Sequence, residues 1–501
     1  MNPNATLKPI LLATLAIKCV LAWALPLSGD EAYFLVWARH LDFGYYDHPP
    51  MIGWILHLML SLGNSELVIR LPAVMLSTLI GVGLYALLKP YDESRAALVA
   101  ILFLVSPLNI LNVLVTTDTP LILFVFASVI ALFHALQKNR RAWYVLSGIF
   151  LGLAFLSKYF AVLLGLAYLA YFIFSGRTRQ KMHGFLLLLL AACPFVWVNL
   201  YWNYTHCWDN LLFNLYNRNE DAQFSVGKIA AFLGMQIYLM SPPAIYYLFR
   251  HRAQLRQKMI SGHAVVFVYA FLIPMAAFAL LALKKDIGLH WVLAFYPFFY
   301  VLLYFSLTRD ELTRTYKFML WFSAAHLAAI AVIAALPMET WKHNKLYDGI
   351  VFMFDNDAIA DHIRPYEQQQ FLLAADGYTP AAIISYHYGK NFFVFGPGSR
   401  YARQDDIITD FRQFNRRNIL IVRKSAPDPA EYAPYFNRVD IREFVLRGAT
   451  FYLVLGYEFN FDHYKNQVLR PAREKYYRIP DAVPHAACYF CEKYFPDEAS
   501  R

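Results

Sequence analysis

The first apolar run of the chain, ILLATLAIKCVLAWALPL at residues 10–27, is long enough to cross a bilayer as a helix. The acidic pair Asp30-Glu31 follows it, and the turn sequence YYDHPP lies at residues 45–50. The run has no small-x-small cleavage site before Asp30, and more apolar runs follow, so we expect a retained membrane helix rather than a signal peptide. An apolar span that ends in acids predicts a membrane protein with chemistry at the membrane surface.

The composition agrees with this interpretation. Hydrophobic residues make up 58% of the 501 residues and charged residues only 16%, which is typical of a membrane protein. The net charge of +10 comes from basic residues between the apolar runs, as membrane topology requires. We therefore expect contact with membrane lipids. Because no basic block with interleaved aromatic residues is present, we expect no nucleic-acid partner.

Hydropathy and length predict a polytopic α-helical membrane protein with about eleven transmembrane helices. The loops after the even-numbered spans are basic, which places them and the N-terminus in the cytoplasm by the positive-inside rule. The loop that holds Asp30, the loop before Asp118 and the C-terminal tail are then outside. The predicted spans are 10–27, 67–88, 96–115, 119–136, 143–157, 159–175, 184–201, 229–249, 263–283, 289–307 and 318–337.

The stretch 142–176 is long for one span and short for two. Basic loops lie at both of its ends, so both ends face the cytoplasm and the chain crosses twice, with a turn near residues 157–159. This places Lys158 at or below the outer headgroups. A cation at that depth is costly without an anionic partner, although a lysine can also extend its amine toward water.

Two amphipathic or apolar segments near the first span are not counted as crossings. Residues 31–42 predict a short interfacial helix, and residues 51–62 an apolar stretch along the membrane. After Pro337 the composition becomes polar, so we divide the chain into a transmembrane domain, 1–337, and a small extracytoplasmic α/β domain, 338–501. In that domain we predict strands at 382–386, 418–422, 442–446 and 450–455 and helices at 365–375 and 405–414.

Three acidic features share the predicted outer face. They are Asp30-Glu31, Asp47-His48 and Asp118 in the sequence TTDTP. Each has an ordinary structural explanation, because Asp and Glu stabilise helix starts and Asp-His before two prolines forms a turn. Their coincidence on one face favours a functional role.

Basic residues are predicted on the same face. Lys284 and Lys285 lie in a predicted outside loop, although the positive-inside rule disfavours lysines there. The pair is suited to an anionic ligand such as a lipid-linked phosphate. Alternatively, it is a solvated pair whose charge Asp286 partly offsets. The C-x-x-C of Cys488 and Cys491 fits a disulfide if that end is extracytoplasmic, and is weak evidence for a metal or redox site. The predicted outer cations are Arg39, Arg70, Lys158, Lys284, Lys285 and, when protonated, His290.

Four motifs carry a resemblance to a known family. The run DEAYFLVWARHLDFGYYDHPPMIGW at 30–54 resembles the N-terminal signature of glycosyltransferase family 39, the protein O-mannosyltransferase-like members of the GT-C superfamily. SELVIRLPAVM, TTDTPLILF and GLAFLSKYFAVLL resemble its later motifs, in the same order. Bacterial members are similar to the lipid A aminoarabinose transferase. The resemblance implies a polyprenyl-phosphate-linked sugar as donor and an inner-membrane enzyme that acts at the outer face.

The resemblance also implies residue roles. Asp30 and Glu31 match the first acidic motif, with Asp30 as the group that activates or orients the acceptor, and Asp118 matches the second acidic position. Lys158 matches a position that contacts the donor phosphate, and Arg70 matches one that either does the same or only pairs with an acid. We extend the phosphate-binding role to Lys284 and Lys285. The turn residues and an outer histidine are expected to position the substrate: Tyr46, Asp47, His48 and His290.

The implied reaction is transfer of a hexosyl or pentosyl group to a lipid A-type glycolipid, another glycan or a protein hydroxyl. One carboxylate takes the acceptor proton while cations receive the phosphate charge. The sequence leaves open which sugar and which acceptor react, the stereochemical outcome and the oligomeric state. No motif requires a cofactor, although Asp30, Asp118 and an outer histidine are suitable ligands for a divalent metal. A transporter or flippase of a lipid-linked anion is the alternative, but such proteins tend to place polar groups at the bilayer midplane.

Overall fold

The computed structural model describes residues 3–175, 178–219, 223–253, 262–481 and 483–498. The chain divides into two compact units. We call the first the helical unit; it consists of Met1–Leu25, Pro49–Val198 and Asp221–Ala334. We call the second the sheet unit; it consists of Pro26–His48, Asn199–Glu220 and Ala335–Arg501.

The helical unit carries most of the apolar helices. Within the described residues, seven helices are long and apolar enough to cross a membrane, or eight if Val226–Met240 and Pro242–Arg250, bent by 91°, form one broken span. Each predicted span contains helical residues, but the span at 96–115 is interrupted after Val105 and the span at 229–249 is bent by 91°. The count of eleven stays a prediction, because several helices are short. The seven are Pro3–Ala24, Glu66–Leu88, Asp118–Lys138, Arg179–Thr205, Val265–Ala282, Leu289–Ser306 and Arg309–Ala335.

The shorter helices of this unit follow the sequence pattern closely. The apolar stretch predicted at 51–62 forms a helix, Met51–Leu62, and its lying along the membrane stays a prediction. The stretch 142–176 forms two helices, Arg141–Ser157 and Ala161–Phe174, with the break at the predicted turn. A fourth helix, Glu93–Val105, is buried along nearly its whole length.

One charged side chain lies inside the first helix. Lys18 is buried, and its Nζ donates hydrogen bonds to Ala73 O at 2.9 Å and to Ser77 Oγ at 2.8 Å. Both acceptors belong to the helix Glu66–Leu88. Because a buried cation needs hydrogen-bond acceptors, these contacts fix how the two helices pack.

The sheet unit is built on a five-stranded sheet with the order β2-β1-β3-β5-β4. β1 lies between β2 and β3 and is parallel to both, whereas β5 pairs antiparallel with β3 and β4. Leu420 of β3 pairs with Leu373 of β1 on one side and with Leu455 of β5 on the other. The strands are β1 Leu372–Ala375, β2 Phe393–Val394, β3 Ile419–Arg423, β4 Phe436–Leu446 and β5 Ala449–Phe459.

Helices complete the sheet unit. They include Gly29–Arg39, which confirms the helix predicted at 31–42, while its position at the membrane interface stays a prediction. This helix contacts Tyr378–Tyr388 so closely that a Cβ at Gly29 would overlap the side chain of Thr379. The others are Asp209–Leu215, Tyr347–Phe354, Asn356–Gln368, Gln404–Ile408, Pro429–Tyr432, Phe461–Tyr464, Arg470–Tyr476 and Tyr489–Tyr494.

Three of the four predicted strands are confirmed, those at 418–422, 442–446 and 450–455. The predicted strand at 382–386 is wrong, because these residues lie in the helix Tyr378–Tyr388. The run is apolar and β-branched, but Gly389 at φ 77° ends it as a helix C-cap.

The predicted helix at 365–375 is also wrong over most of its length. The helix Asn356–Gln368 ends there and β1 follows. A continuous apolar strand between two parallel neighbours lacks the alternation that marks a strand in sequence. The predicted helix at 405–414 appears only as two short turns, Gln404–Ile408 and Phe411–Phe414.

Candidate active-site residues and comparison with known proteins

The acidic pair after the first span starts the helix Gly29–Arg39 of the sheet unit. Ser28 caps this helix, and its Oγ accepts from Glu31 N at 3.3 Å. The Glu31 carboxylate in turn accepts from Ser28 N at 3.0 Å, which completes a capping box. Glu31 is fully buried. The structure therefore gives Glu31 a local structural partner and leaves Asp30 as the acid at the surface.

Asp30 is exposed, but the protein around it removes part of its hydration. This desolvation raises the pKa of Asp30, and the negative charges of Asp47 and Glu31 raise it further while His48 opposes them. A carboxyl with a raised pKa is a better proton acceptor than an ordinary one at the same surface. The pKa shift of Asp30 is therefore in the direction that favours proton acceptance.

The Asp47-His48 turn lies close enough to influence Asp30. Asp47 is 9% exposed, and its Oδ2 lies 3.2 Å from Nδ1 of His48. Its Oδ1 is buried and has no hydrogen-bond partner among the described residues. The turn is held by Tyr45 N, which donates to His48 O at 3.0 Å, and by Asn214 Nδ2, which donates to Asp47 O at 3.0 Å.

Tyr46 supports the turn from inside the sheet unit. It is fully buried and packs against Phe213 and Tyr477, with ring centroids 5.5 and 6.2 Å apart. Its backbone N–H donates to Gln404 Oε1 at 2.9 Å. The predicted contact of Tyr46 with substrate thus becomes an indirect role, because its side chain lies in the core.

In the helical unit, Asp118 and Lys158 form a buried ion pair. Lys158 Nζ donates to both carboxylate oxygens of Asp118, at 2.8 and 2.7 Å, and both residues are at most 6% exposed. Asp118 begins the helix Asp118–Lys138, and Lys158 lies at the break after Arg141–Ser157. The predicted need of Lys158 for an anionic partner is confirmed, although the sequence did not identify that partner as Asp118.

His290 lies at the edge of this pair. Its Nε2 is 3.9 Å from Asp118 Oδ2, and more than half of its side chain is exposed. Trp291 packs on Phe160 with ring centroids 5.0 Å apart, and Lys158 Nζ lies 5.2 Å from the centroid of the Phe160 ring. Asp118, Lys158 and His290, which are far apart in sequence, therefore form one polar group in the helical unit.

Lys284 and Lys285 follow the helix Val265–Ala282. Lys284 is exposed and Lys285 is partly exposed. A third lysine joins them, since Lys228 Nζ donates to Lys284 O at 3.1 Å and lies 3.9 Å from Asp286. Sequence analysis missed Lys228, because nothing in its local sequence separates it from an ordinary loop lysine.

Of the two roles predicted for Arg70, the structure shows pairing with an acid, and it adds contacts with backbone carbonyls. Arg70 is fully buried, and its Nη1 donates to the carbonyls of Ala22 and Leu25 at 2.8 and 2.7 Å and lies 3.4 Å from Glu66 Oε2. The carbonyls belong to the end of the first helix, which carries partial negative charge. These contacts bind the first and second membrane helices to each other.

A metal site was left open by the sequence. Within the described ranges, no group of three or more His, Cys, Asp and Glu side chains is placed to hold a metal ion.

The chain was compared with known protein families and proteins. Residues 47–202 match the family described as dolichyl-phosphate-mannose-protein mannosyltransferase. A lipid A galacturonosyltransferase, RgtD of Rhizobium johnstonii, is 26% identical over 249 residues, which cover 46% of this chain and 51% of RgtD. The matched region thus spans about half the length of that relative.

Solved structures give the fold. ArnT from Cupriavidus metallidurans in the apo state aligns with a TM-score of 0.62 and 16% identity, over 90% of this chain and 98% of ArnT. The chain has the GT-C membrane fold. The structure of ArnT bound to undecaprenyl phosphate aligns equally well, with 15% identity. Together with the family match, these likenesses confirm the predicted resemblance to GT-C glycosyltransferases.

Proposed function

We propose that this protein is a membrane glycosyltransferase that moves a sugar from a polyprenyl phosphate to an envelope acceptor, with a lipid A-type glycolipid as the favoured acceptor. The observation that carries the proposal is the position of Asp30, an exposed carboxyl in the first turn of the helix Gly29–Arg39. Its pKa is raised by partial desolvation and by the charges of Asp47 and Glu31. The likeness to RgtD and to ArnT bound to undecaprenyl phosphate supports the substrate classes.

Asp30 is the residue to which we assign proton removal. As the acceptor oxygen attacks C1 of the sugar, Asp30 takes its proton, and the bond between C1 and the phosphate oxygen breaks. Asp47 keeps the pKa of Asp30 high, and Glu31 holds the start of the helix that presents Asp30. His48 is placed beside Asp47 to orient the turn.

The helical unit supplies the cations in this proposal. The leaving group is a lipid phosphate, whose negative charge needs a basic environment. Lys158 is pre-positioned by Asp118, with His290 and the lysines at 284 and 285 as further contacts. Arg70 supports the site by fixing the helices rather than by contacting the phosphate.

The proposal includes membrane topology. The transferred group is a hexosyl or pentosyl unit, and transfer takes place at the outer face of the inner membrane, with the N-terminus in the cytoplasm and the 338–501 domain outside. The basic loops after the even-numbered predicted spans support this orientation.

Mass spectrometry of envelope glycolipids tests the function. Cells with the intact chain, with Asp30→Asn or without the chain are compared, and Asp462→Asn, a change at an exposed aspartate of the sheet unit, serves as the control. We expect a sugar-sized mass on a glycolipid with the intact and control chains. General-base removal costs roughly 10²- to 10⁴-fold in rate, so this mass should be lost with Asp30→Asn as fully as without the chain. Identical glycolipids in all cells would reject the lipid acceptor.

A further inference from the structure

Three cysteines of the sheet unit lie together. Cys488 Sγ is 2.6 Å from Cys491 Sγ, and a hydrogen bond joins Cys488 to Cys207. Cys207 is fully buried, whereas Cys488 and Cys491 are each 8% exposed. All three are free thiols in the structure. The proton transfer proposed for Asp30 does not use this cluster, although two of its members form the C-x-x-C of the sequence.

The cysteines lie where two segments distant in sequence are joined. Cys207 N donates to Ala487 O at 2.8 Å. Two residues further on, Asp209 Oδ2 accepts from the Tyr489 hydroxyl at 2.9 Å. The segment 199–220, which belongs to the sheet unit, is therefore bound to the C-terminal segment on both sides of the thiols.

The same segment supports the turn that influences Asp30. Asn210 Nδ2 donates to Tyr45 O at 2.6 Å, and Asn214 Nδ2 donates to Asp47 O at 3.0 Å. Asp47 is in turn one of the charges that raise the pKa of Asp30. A continuous set of contacts within the sheet unit thus leads from the cysteines to the proposed base.

The protonation of the thiols indicates what the cluster can do. Burial raises the pKa of Cys207 to about 12, and hydrogen bonds within the cluster raise the pKa of Cys488 and of Cys491. A thiolate is needed both to bind a metal and to attack a disulfide. Because the thiolates are disfavoured, the cluster is unsuited to metal binding and to rapid exchange, whereas a static disulfide fits it.

Exposure and position decide which pair is joined. Cys488 caps the start of the helix Tyr489–Tyr494 and Cys491 lies within it, so the two sulfurs meet without any movement of one segment past another. An external oxidant must reach one sulfur to form a mixed disulfide. Cys207 has no exposed surface, whereas both members of the C-x-x-C keep some.

We propose that Cys488 and Cys491 form a disulfide that holds the segment 199–220, and through it the Asp47-His48 turn, in place. The proposal rests on the proposed function, which puts the C-terminal domain outside the cytoplasm, where disulfides form, and gives the turn its role. It makes the disulfide a covalent support of the proposed base.

The oxidant is the disulfide of an oxidised dithiol protein in that compartment. One cysteine thiol of the pair, as its thiolate, attacks this disulfide, and the second cysteine displaces the partner from the mixed disulfide. The two cysteines lose two electrons and two protons as their sulfur–sulfur bond forms. The partner gains both and leaves as a dithiol.

Peptide mapping tests the bond without requiring transfer. The full chain in cell membranes is quenched with acid, and its thiols are alkylated under denaturing conditions before digestion with trypsin. Cys488 and Cys491 both lie in the tryptic peptide 479–493. We expect this peptide to carry no alkyl group and to be two hydrogens lighter than its reduced form, with Cys207 alkylated. Alkylation of both cysteines in the peptide, or a cross-link from it to Cys207, would overturn the proposal.

Hydrogen–deuterium exchange tests the link to the turn. The purified chain in lipid nanodiscs is compared before and after reduction, and with the double variant Cys488→Ala/Cys491→Ala. We expect the amides of residues 45–48 to exchange roughly tenfold faster in the reduced chain and in the double variant, because the constraint on the supporting segment is lost. The amides of β3 should exchange as before. Cys193→Ala, a change at an exposed cysteine of the helical unit, is the matched control and should behave like the wild type.

Two results of this experiment would contradict the supporting role. Unchanged exchange at residues 45–48 after complete reduction of the wild type would overturn it, whether or not the double variant folds. An equal response of the double variant to the reductant would also overturn it, because the reductant would then act elsewhere.

Transfer kinetics separate failure of this proposal from failure of the proposed function. Reduction should lower kcat of the wild type severalfold and leave the double variant unchanged. Sugar transfer that complete reduction does not alter would overturn the link to Asp30 and leave the transferase function standing. A disulfide and a protected turn in a chain that transfers no sugar would reject the transferase function and leave the bond standing.

Discussion

The two units differ in what surrounds their acidic side chains. In the helical unit, Asp118 is buried and matched by Lys158, so its charge is neutralised locally. In the sheet unit, desolvation and the negative charge of Asp47 raise the pKa of Asp30, while His48 beside Asp47 opposes them. A matched pair holds a cation in place, whereas crowded acids create a proton acceptor. This contrast supports a division of roles between phosphate binding and proton removal.

The largest expected effect is the loss of stability when the ion pair of Asp118 and Lys158 is broken. Lys158→Met leaves the Asp118 carboxylate buried and unpaired, which should destabilise the protein by about 3–5 kcal/mol. Thermal unfolding of the purified chain in detergent measures this. The double variant Asp118→Leu/Lys158→Met removes both charges and should restore most of the stability. A single variant as stable as the wild type would contradict the burial of this pair.

Asp30 and Asp47 should instead control how the rate of sugar transfer depends on pH. If Asp30 acts in its ionised form, the transfer rate falls as pH drops through its pKa, which Asp47 raises. Asp47→Asn removes that neighbouring charge, so the pKa of Asp30 falls and the acidic limb of the profile moves to lower pH. The rate of the purified enzyme against pH reports this shift. A limb that stays in place, or moves to higher pH, would argue against Asp30 as the titrating base.

A smaller effect on stability should distinguish the structural role of Glu31 from the catalytic role proposed for Asp30. Glu31→Ala breaks the capping box and should cost about 1 kcal/mol of stability, whereas Glu31→Gln keeps an acceptor for Ser28 N and should be nearly silent. Melting temperature and transfer rate are measured for both variants. A folded Glu31→Gln protein that has lost transfer would show that Glu31 takes a direct part in the chemistry.

The sequence predicted local features well. The apolar runs, among them the stretch at 51–62, the helix at 31–42 and the break before residue 161 follow from periodicity, length and charge within short windows. The strand predicted at 382–386 failed because local preference was overridden by tertiary context. Short apolar runs carry no periodicity that separates a buried helix from a buried strand.

The site could be predicted only residue by residue. Asp30, Asp118 and Lys158 were identified from motifs, but the pairing of Asp118 with Lys158 joins residues 40 positions apart. The bond from Tyr33 to Ala402 joins residues 369 positions apart, and the segments 26–48 and 199–220 lie in the sheet unit. No local pattern encodes such contacts, so these two pairings emerged only from the structure, whereas the capping role of Glu31 is local and agrees with the helix-start explanation given for Asp30-Glu31.

The division of roles is tested most directly by binding undecaprenyl phosphate, without a sugar, to the purified chain. We predict that Asp30→Asn binds this lipid like the wild type but does not transfer sugar. The double variant Asp118→Asn/Lys158→Gln should lose both binding and transfer, because it removes the positioned cation. If Asp30→Asn weakens binding of the lipid phosphate while the double variant keeps it, the assignment of phosphate binding to the helical unit is wrong.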